Sequence, residues 1–270
     1  MTYNLSWVFT ALVLMSWPTE AAASCENLGN TDQIEIYPSA SELPSNLLRI
    51  YLYFPYPVRS PNILEHISLR DSEGRVIDGV FLSNRYDLWS PDRRRLTLLL
   101  NPGRVKTGLR AHETLGRALK PGEKYSLLVN QTWIGGVDCK RERDAVFEFL
   151  AIAPDYSPPK PREWKITAPK AGTLDPLIVD LGSPHDHISL AYRLRIRGAE
   201  DSTVSGSIRL GQDESVWRFT PTSPWPSATH YLTISEPLED LAGNRPSGLF
   251  DRPSEDPPLT WTDELAWHPG

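Results

Sequence analysis

Short apolar runs separated by turn formers set the pattern of this chain. Ile50-Tyr51-Leu52-Tyr53-Phe54 is an uninterrupted β-branched and aromatic run, and Leu96-Thr97-Leu98-Leu99-Leu100 is a second. Tyr125-Ser126-Leu127-Leu128-Val129 and Ala145-Val146-Phe147-Glu148-Phe149 follow. Asp71-Ser72-Glu73-Gly74, Asn101-Pro102-Gly103 and Pro121-Gly122 stand between them. Runs of this kind, bounded this way, predict short strands of a sandwich or barrel. Near the C-terminus Leu259, Trp261, Leu265 and Trp267 take alternate positions, with Asp263 the exception, and predict a last edge strand.

The second half repeats the pattern of the first, which says more than any single strand. At a shift of 127, Ile50, Leu52, Phe54 and Pro57 fall on Leu177, Val179, Leu181 and Pro184. At the same shift Ile67, Leu69 and Gly79 fall on Leu194, Ile196 and Gly206. Leu98, Leu100 and Pro102 fall on Trp217, Phe219 and Pro221 at a shift of 119, and Tyr125 meets Tyr231 at 106. The falling shift gives the first copy eight extra residues near 82–95 and 13 near 103–120, which belong in surface loops. His-Ile-Ser-Leu occurs at 66–69 and again at 187–190, out of register with this pattern, and reads as chance. Ala153 to Pro161 holds four prolines and predicts an extended spacer. The expected organisation is one unit over 25–153, a linker over 154–161 and a second unit over 162–270. Leu98, Leu100, Trp217 and Phe219 are the core candidates.

The N-terminus changes the picture of where the chain works. Leu5 to Trp17 is an apolar stretch of 13 residues, too short for a bilayer span of about 20. Pro18 ends it and Ala21-Ala22-Ala23 supplies the small residues a signal peptidase reads, so residues 1–23 are expected to be a signal peptide. The first four residues carry no base, which departs from the usual n-region and leaves an uncleaved anchor as the other reading. No transmembrane helix is expected in the mature chain. In an oxidising compartment Cys25 and Cys139 form a candidate disulfide, closing a loop of over a hundred residues. The chain-entropy model gives such a bridge about 4–5 kcal/mol. Lipidation of Cys25 is the rival, because Ala22-Ala23-Ser24-Cys25 loosely matches a bacterial lipobox.

Composition narrows the class. Proline makes up 25 of 270 residues, a density that interrupts long helices and excludes a helical bundle. The formal charge is −6, or −5 once the leader with its single charged residue, Glu20, is removed. Nucleic-acid binding favours a basic domain and is not expected.

One stretch of the second copy carries a resemblance. Trp217-Arg218-Phe219-Thr220-Pro221, Pro224-Trp225-Pro226, His230-Tyr231-Leu232-Thr233-Ile234 and Glu239-Asp240-Leu241-Ala242-Gly243-Asn244 follow one another. This resembles the closing part of bacterial Ig-like domains of the SbsA type, first described in S-layer proteins. In that family a strand ends in Thr-Pro, a proline turn and a Tyr-led strand follow, and an Asp-x-Ala-Gly-Asn turn closes the unit. The first copy departs from it, with Leu100-Asn101-Pro102 and Trp133-Ile134-Gly135-Gly136-Val137-Asp138 at those places. The resemblance implies seven-stranded Greek-key sandwiches and no catalytic residues, since such domains serve as spacers and binding modules.

Three groups of residues are candidate sites. His185-Asp186-His187, if extended, puts both imidazoles on one face, a geometry suited to Zn²⁺ or Cu²⁺; a solvated loop is the plainer alternative. The insertion Gly103–Lys120 holds Arg104, Lys106, Arg110, Arg117 and Lys120 against Glu113, a balance of +4. Arg93-Arg94-Arg95 lies in the neighbouring insertion, and if the two loops share one end of the sandwich they form a basic patch. Trp133 and Trp225 sit in turns, where an exposed ring stacks on a sugar, although packing is the commoner use. Catalytic motifs are missing: there is no Gly-x-Ser-x-Gly elbow, and His112-Glu113 lacks a second histidine at Gly116.

The sequence thus reads as all-β, two tandem Ig-like Greek-key sandwiches joined by a Pro-rich linker. The expected protein is exported and non-catalytic, periplasmic or secreted, or lipid-anchored through Cys25. It needs no cofactor, and its expected partner is an envelope protein or an anionic glycan or lipid. The alternatives are a carbohydrate-binding module using its tryptophans and a metal-binding protein or enzyme using His185 and His187.

Overall fold

The apolar runs form strands wherever turn residues bound them. A computed structural model describes residues 33–58, 62–83, 88–106, 116–130, 144–198, 202–250 and 263–270. The signal segment, Cys25, Arg110, Trp133, Cys139, Leu259 and Trp261 lie outside the described residues.

The first half contributes β1 (Glu35–Tyr37), β2 (Glu42–Pro44), β3 (Arg49–Tyr53), β4 (Ile67–Asp71), β5 (Leu88–Trp89), β6 (Arg95–Leu99), β7 (Lys124–Val129) and β8 (Ala145–Ile152). They build two sheets, ordered β1-β3-β6-β5 and β2-β8-β7-β4. The second half contributes β9 (Lys165–Thr167), β10 (Leu177–Asp180), β11 (Leu194–Arg197), β12 (Gly206–Leu210), β13 (Val216–Pro221), β14 (His230–Ile234) and β15 (Glu264–Trp267). Their sheets are ordered β12-β13-β10-β9 and β11-β14-β15. In sequence order these are the A-B-E-D and C-F-G arrangements of the immunoglobulin Greek key. The first sandwich adds β2, which pairs parallel to β8. Among the described residues two short α-helices interrupt the strands, α1 (Pro102–Val105) and α2 (His187–Arg193).

Alternation places the cores. In β6, Leu96 and Leu98 are buried while Arg95, Thr97 and Leu99 stay half-buried. Ile50, Leu52, Leu69, Leu98, Leu100 and Leu127 belong to one cluster, and Leu177, Val179, Ile196, Trp217, Phe219 and Leu232 to another. The four core candidates are thus inside. Leu241, from the second half, packs in the first cluster.

The ladders correct the sequence register at two strands. Ile50 pairs with Leu98 and Leu177 with Phe219, so with β3 and β10 at 127 the shift at β6 and β13 is 121, not 119. Ile67 pairs with Val129 and Leu194 with Ile234, so the shift at β7 and β14 is 105, not 106. Buried Tyr125 therefore corresponds to buried His230, while Tyr231 faces the other way, half-exposed. Aligning tyrosine with tyrosine matched identities across a one-residue slip, which turns a strand over. The extra residues of the first half become six before β6 and 16 between β6 and β7.

Candidate functional site

The pleat of β3 creates the site. Ile50 and Leu52 enter the core, so Arg49, Tyr51 and Tyr53 face the opposite side of the sheet. In an isolated sandwich that side is wet. Here the second sandwich covers it, and Tyr51 is only 4% exposed. Its hydroxyl donates to Asp186 Oδ2 at 2.7 Å. Arg49 Nη1 donates to Glu239 Oε2 and lies 3.7 Å from Asp186 Oδ2. Arg245 reaches Glu239 Oε1 from the other side, with Nε at 2.9 Å and Nη2 at 2.7 Å. Burial pushes the Asp186 carboxyl up, against the opposing pull of Arg49 and the Tyr51 hydroxyl. Burial also pushes the Tyr51 hydroxyl well above its usual range, and the Asp186 charge adds to it. Burial alone would lower Arg49, but Tyr51, Asp186 and Glu239 together hold it above its ordinary value.

The turn after β14 forms a second tie. Asp240 Oδ1 accepts from Ala242 N at 2.8 Å and Asn244 N at 2.9 Å, and Oδ2 accepts from Asn244 Nδ2 at 2.9 Å. Burial, with the charge of Asp155 adding, pushes the Asp240 carboxyl up to about 7. Leu48 N donates to Leu241 O at 3.0 Å across the joint. Gly243 has φ +78°, and a Cβ there would sit 2.5 Å from Leu48 Cδ2, so the closeness of the sandwiches demands glycine. Asp155, in the proline-rich linker, donates its N–H to Asn46 Oδ1 at 2.8 Å. Its carbonyl accepts from Asn46 Nδ2 at 2.8 Å and Asn244 Nδ2 at 3.1 Å. The linker is therefore held from both sides.

Glu214 makes a third tie. It is fully buried and left-handed, at φ 50° beside Asp213 at φ 65°. Ser39 donates to it twice, N to Oε2 at 2.8 Å and Oγ to Oε1 at 3.0 Å. Two adjacent non-glycine residues in this region carry strain that the surrounding contacts must hold.

The predicted site residues divide. His185-Asp186-His187 is not an extended ligand pair. Asp186 caps α2, its Oδ1 accepting from Ser189 N at 2.8 Å, so His187 opens the helix and the period-2 spacing is lost. His187 lies with its ring centroid 3.8 Å from that of Tyr37 and Nδ1 3.7 Å from Glu214 Oε1. His185 is buried, its Nδ1 donating to Ser183 O at 2.8 Å. Burial lowers it to about 4. Among the described residues no group of three His, Cys, Asp or Glu side chains is arranged to hold a metal.

Among the described residues the two basic segments leave β6 at opposite ends: Arg93, Arg94 and Arg95 enter the strand, residues 103–106 follow it, and its five residues at about 3.4 Å each separate them. Arg104 is a buried strut rather than a surface cation, donating to Asp78 O at 2.6 Å and Gly116 O at 3.2 Å. Lys106 Nζ sits 4.1 Å over the Phe250 ring, and Lys120 lies 3.7 Å from Glu123. Arg117 is half-buried. Arg93 donates to Val58 O at 2.6 Å and covers Trp89, whereas Arg94 is exposed. Trp225 is 1% exposed, packed against Phe219, His230 and Trp267, with Nε1 donating to Asp175 O. Its ring has no face for a sugar, because the proline turn folds it into the core.

Arg49, Tyr51, Glu214 and Glu239 were missed in the sequence. Tyr51 was hidden inside an apolar run and Arg49 stands just before it, both on the face of β3 turned away from the core. Beside the joint a groove of about 520 Å³ opens between Tyr53, Arg94 and Arg95 of the first sandwich and Tyr192 of the second.

The fold and joint define an Ig-like tandem sandwich protein. No protein-family model matches the chain, and no curated protein matches it. Among solved structures it is similar to domains 1–6 of the surface-layer protein SbsC, at 13% identity and TM-score 0.25, over 74% of this chain and 23% of that one. It is similar to E. coli alpha-2-macroglobulin at 9% identity and TM-score 0.28, over 88% of this chain and 14% of that one. Murine CEACAM1b matches at 11% identity and TM-score 0.18, over 76% of this chain and 92% of that one. The chain thus spans less than a quarter of the length of the first two. The strand order in both halves carries the Ig-like fold. Among the described residues no helix is long and apolar enough to cross a membrane.

Proposed function

We propose that this is a non-catalytic, exported protein of the cell envelope, a binding or structural module made of two SbsA-type Ig-like units, 25–153 and 162–270. The observation that supports it best is the buried joint. Tyr51, Arg49, Asp186 and Glu239 are used up in holding the sandwiches together. A joint of this kind presents two sandwiches as one shaped element, which suits a spacer or a binding surface. Residues 1–23 direct export, and Cys25 and Cys139 pair in the oxidising compartment. The expected partner is an anionic envelope component, met by the exposed Arg94.

Two measurements test this. Intact mass of the cell-expressed protein should match Ser24–Gly270 less two hydrogens in an exported fraction. A cytoplasmic protein retaining residues 1–23 overturns export. The purified mature chain should co-sediment with envelope material at low salt and be released as salt rises. No sedimentation at any salt overturns the binding module.

A further inference from the structure

The groove beside the joint is lined by charged and aromatic side chains from both sandwiches. Tyr192, from α2, has 57% of its surface exposed. Across from it, Tyr53 and Arg95 face each other on neighbouring strands, and the Arg95 charge opposes the rise that burial gives the Tyr53 hydroxyl. Arg95 Nε is buried without a hydrogen-bond partner, so the guanidinium is not fully satisfied by the protein. Arg94 stands exposed beside it. Glu35 and Asp92 share the groove. Glu35 accepts from Tyr37, and Asp92 accepts from the Ser90 hydroxyl and the Arg94 N–H.

From this arrangement we infer that the groove binds an acidic sugar, a uronic-acid residue of a larger glycan. The inference rests on the binding-module reading above and names its ligand class. A carboxylate takes the guanidinium pair of Arg94 and Arg95. The apolar face of the pyranose lies on Tyr192. Glu35 and Asp92 accept from its hydroxyls. The same two carboxylates disfavour a dianion such as a phosphate monoester, because like charges in one groove repel. Two aromatic rings and two acceptors would be idle toward a bare small anion.

The test uses the mature chain and a panel of uronic-acid oligosaccharides with neutral oligosaccharides of equal length, titrated by calorimetry. Acetate and sulfate serve as bare-anion controls. Binding of uronic-acid members alone is expected, weakening as salt rises. Arg94→Gln and Tyr192→Ala are surface changes, so their melting temperatures should match the parent. Arg94→Gln should lose affinity by about ten-fold or more, and Tyr192→Ala by several-fold. Neutral sugars binding as tightly, or Arg94→Gln without effect, overturn the acidic-sugar assignment. Bare anions binding as tightly, with Tyr192→Ala silent, overturn the sugar. If no oligosaccharide binds while the chain still sediments with envelope material, the groove inference fails and the module reading survives. If both fail, the module reading falls too.

Discussion

β3 and β10 hold the same place in their sandwiches, each between the first strand and its long partner. Their inward residues are interchangeable in kind: Ile50 and Leu52 in one, Leu177 and Val179 in the other, all buried. Their outward residues are not. At the equivalent positions Tyr51 is buried where Ile178 is half-exposed, and Tyr53 is half-buried where Asp180 is exposed. The pleat dictates only that a residue points outward. Whether that direction is solvent or interface depends on what docks there. Packing chemistry repeats between the two halves, while joint chemistry belongs to one face of one of them.

That difference can be broken directly. Arg49→Ala should cost about 3 kcal/mol, because Glu239 and Asp186 lose their nearest cation while staying buried. Asp180→Ala, at the outer face of β10, should cost only about 0.5–1 kcal/mol, since it loses no more than an exposed turn hydrogen bond from Gly182 N. Urea unfolding of both variants tests the contrast; equal costs would show that the joint is no more than a surface. Gly243→Ala should cost about 2 kcal/mol through its left-handed backbone and the clash with Leu48. A small-angle scattering profile wider than the parent's should accompany it if the sandwiches separate. Tyr51→Phe should cost about 1–2 kcal/mol by removing one donor from a buried carboxylate. The same loss of a polar group on the second sandwich, Ser207→Ala on exposed β12, should be close to silent.

The inward half of the molecule was legible because period-2 burial leaves its mark in residue type. Leu98 and Trp217 announce a core strand by themselves. The turn Asp240–Asn244 was legible as a turn, since its aspartate and glycine have local work, but not as a contact. Its partner, Leu48, lies nearly two hundred residues away and carries no matching signal. Register failed where identity and pleat disagreed, as at Tyr125 and Tyr231. The histidines misled because spacing alone does not separate a strand from the cap of a helix. Asp186 decided it, and the hydrogen bond to Ser189 N is the reason.

The smallest effect in the parent protein has the clearest sign. His185 is held down to about 4 against an ordinary 6.5, so the unfolded chain takes up its proton first as pH falls. Its neutral burial is then a growing penalty from about pH 6.5 down to about 4. Asp240 runs the other way. Its folded value of about 7 lies above the ordinary 3.8, so the folded state takes up the proton first. Stability from Asp240 therefore rises as pH falls from about 7 to about 3.8, and Asp186, also raised by burial, adds to that side. Across the shared window these slopes oppose each other, and the contribution of this region to the parent's pH profile should be shallow. Asp240→Asn should uncover a loss of stability on acidification. His185→Gln should uncover a gain. Both variants lower the overall level, Asp240→Asn because its amide would face the Asn244 amide donor to donor. The readout is therefore the slope of urea midpoint against pH. Parallel slopes in the two variants and the parent would show that neither group titrates within the joint.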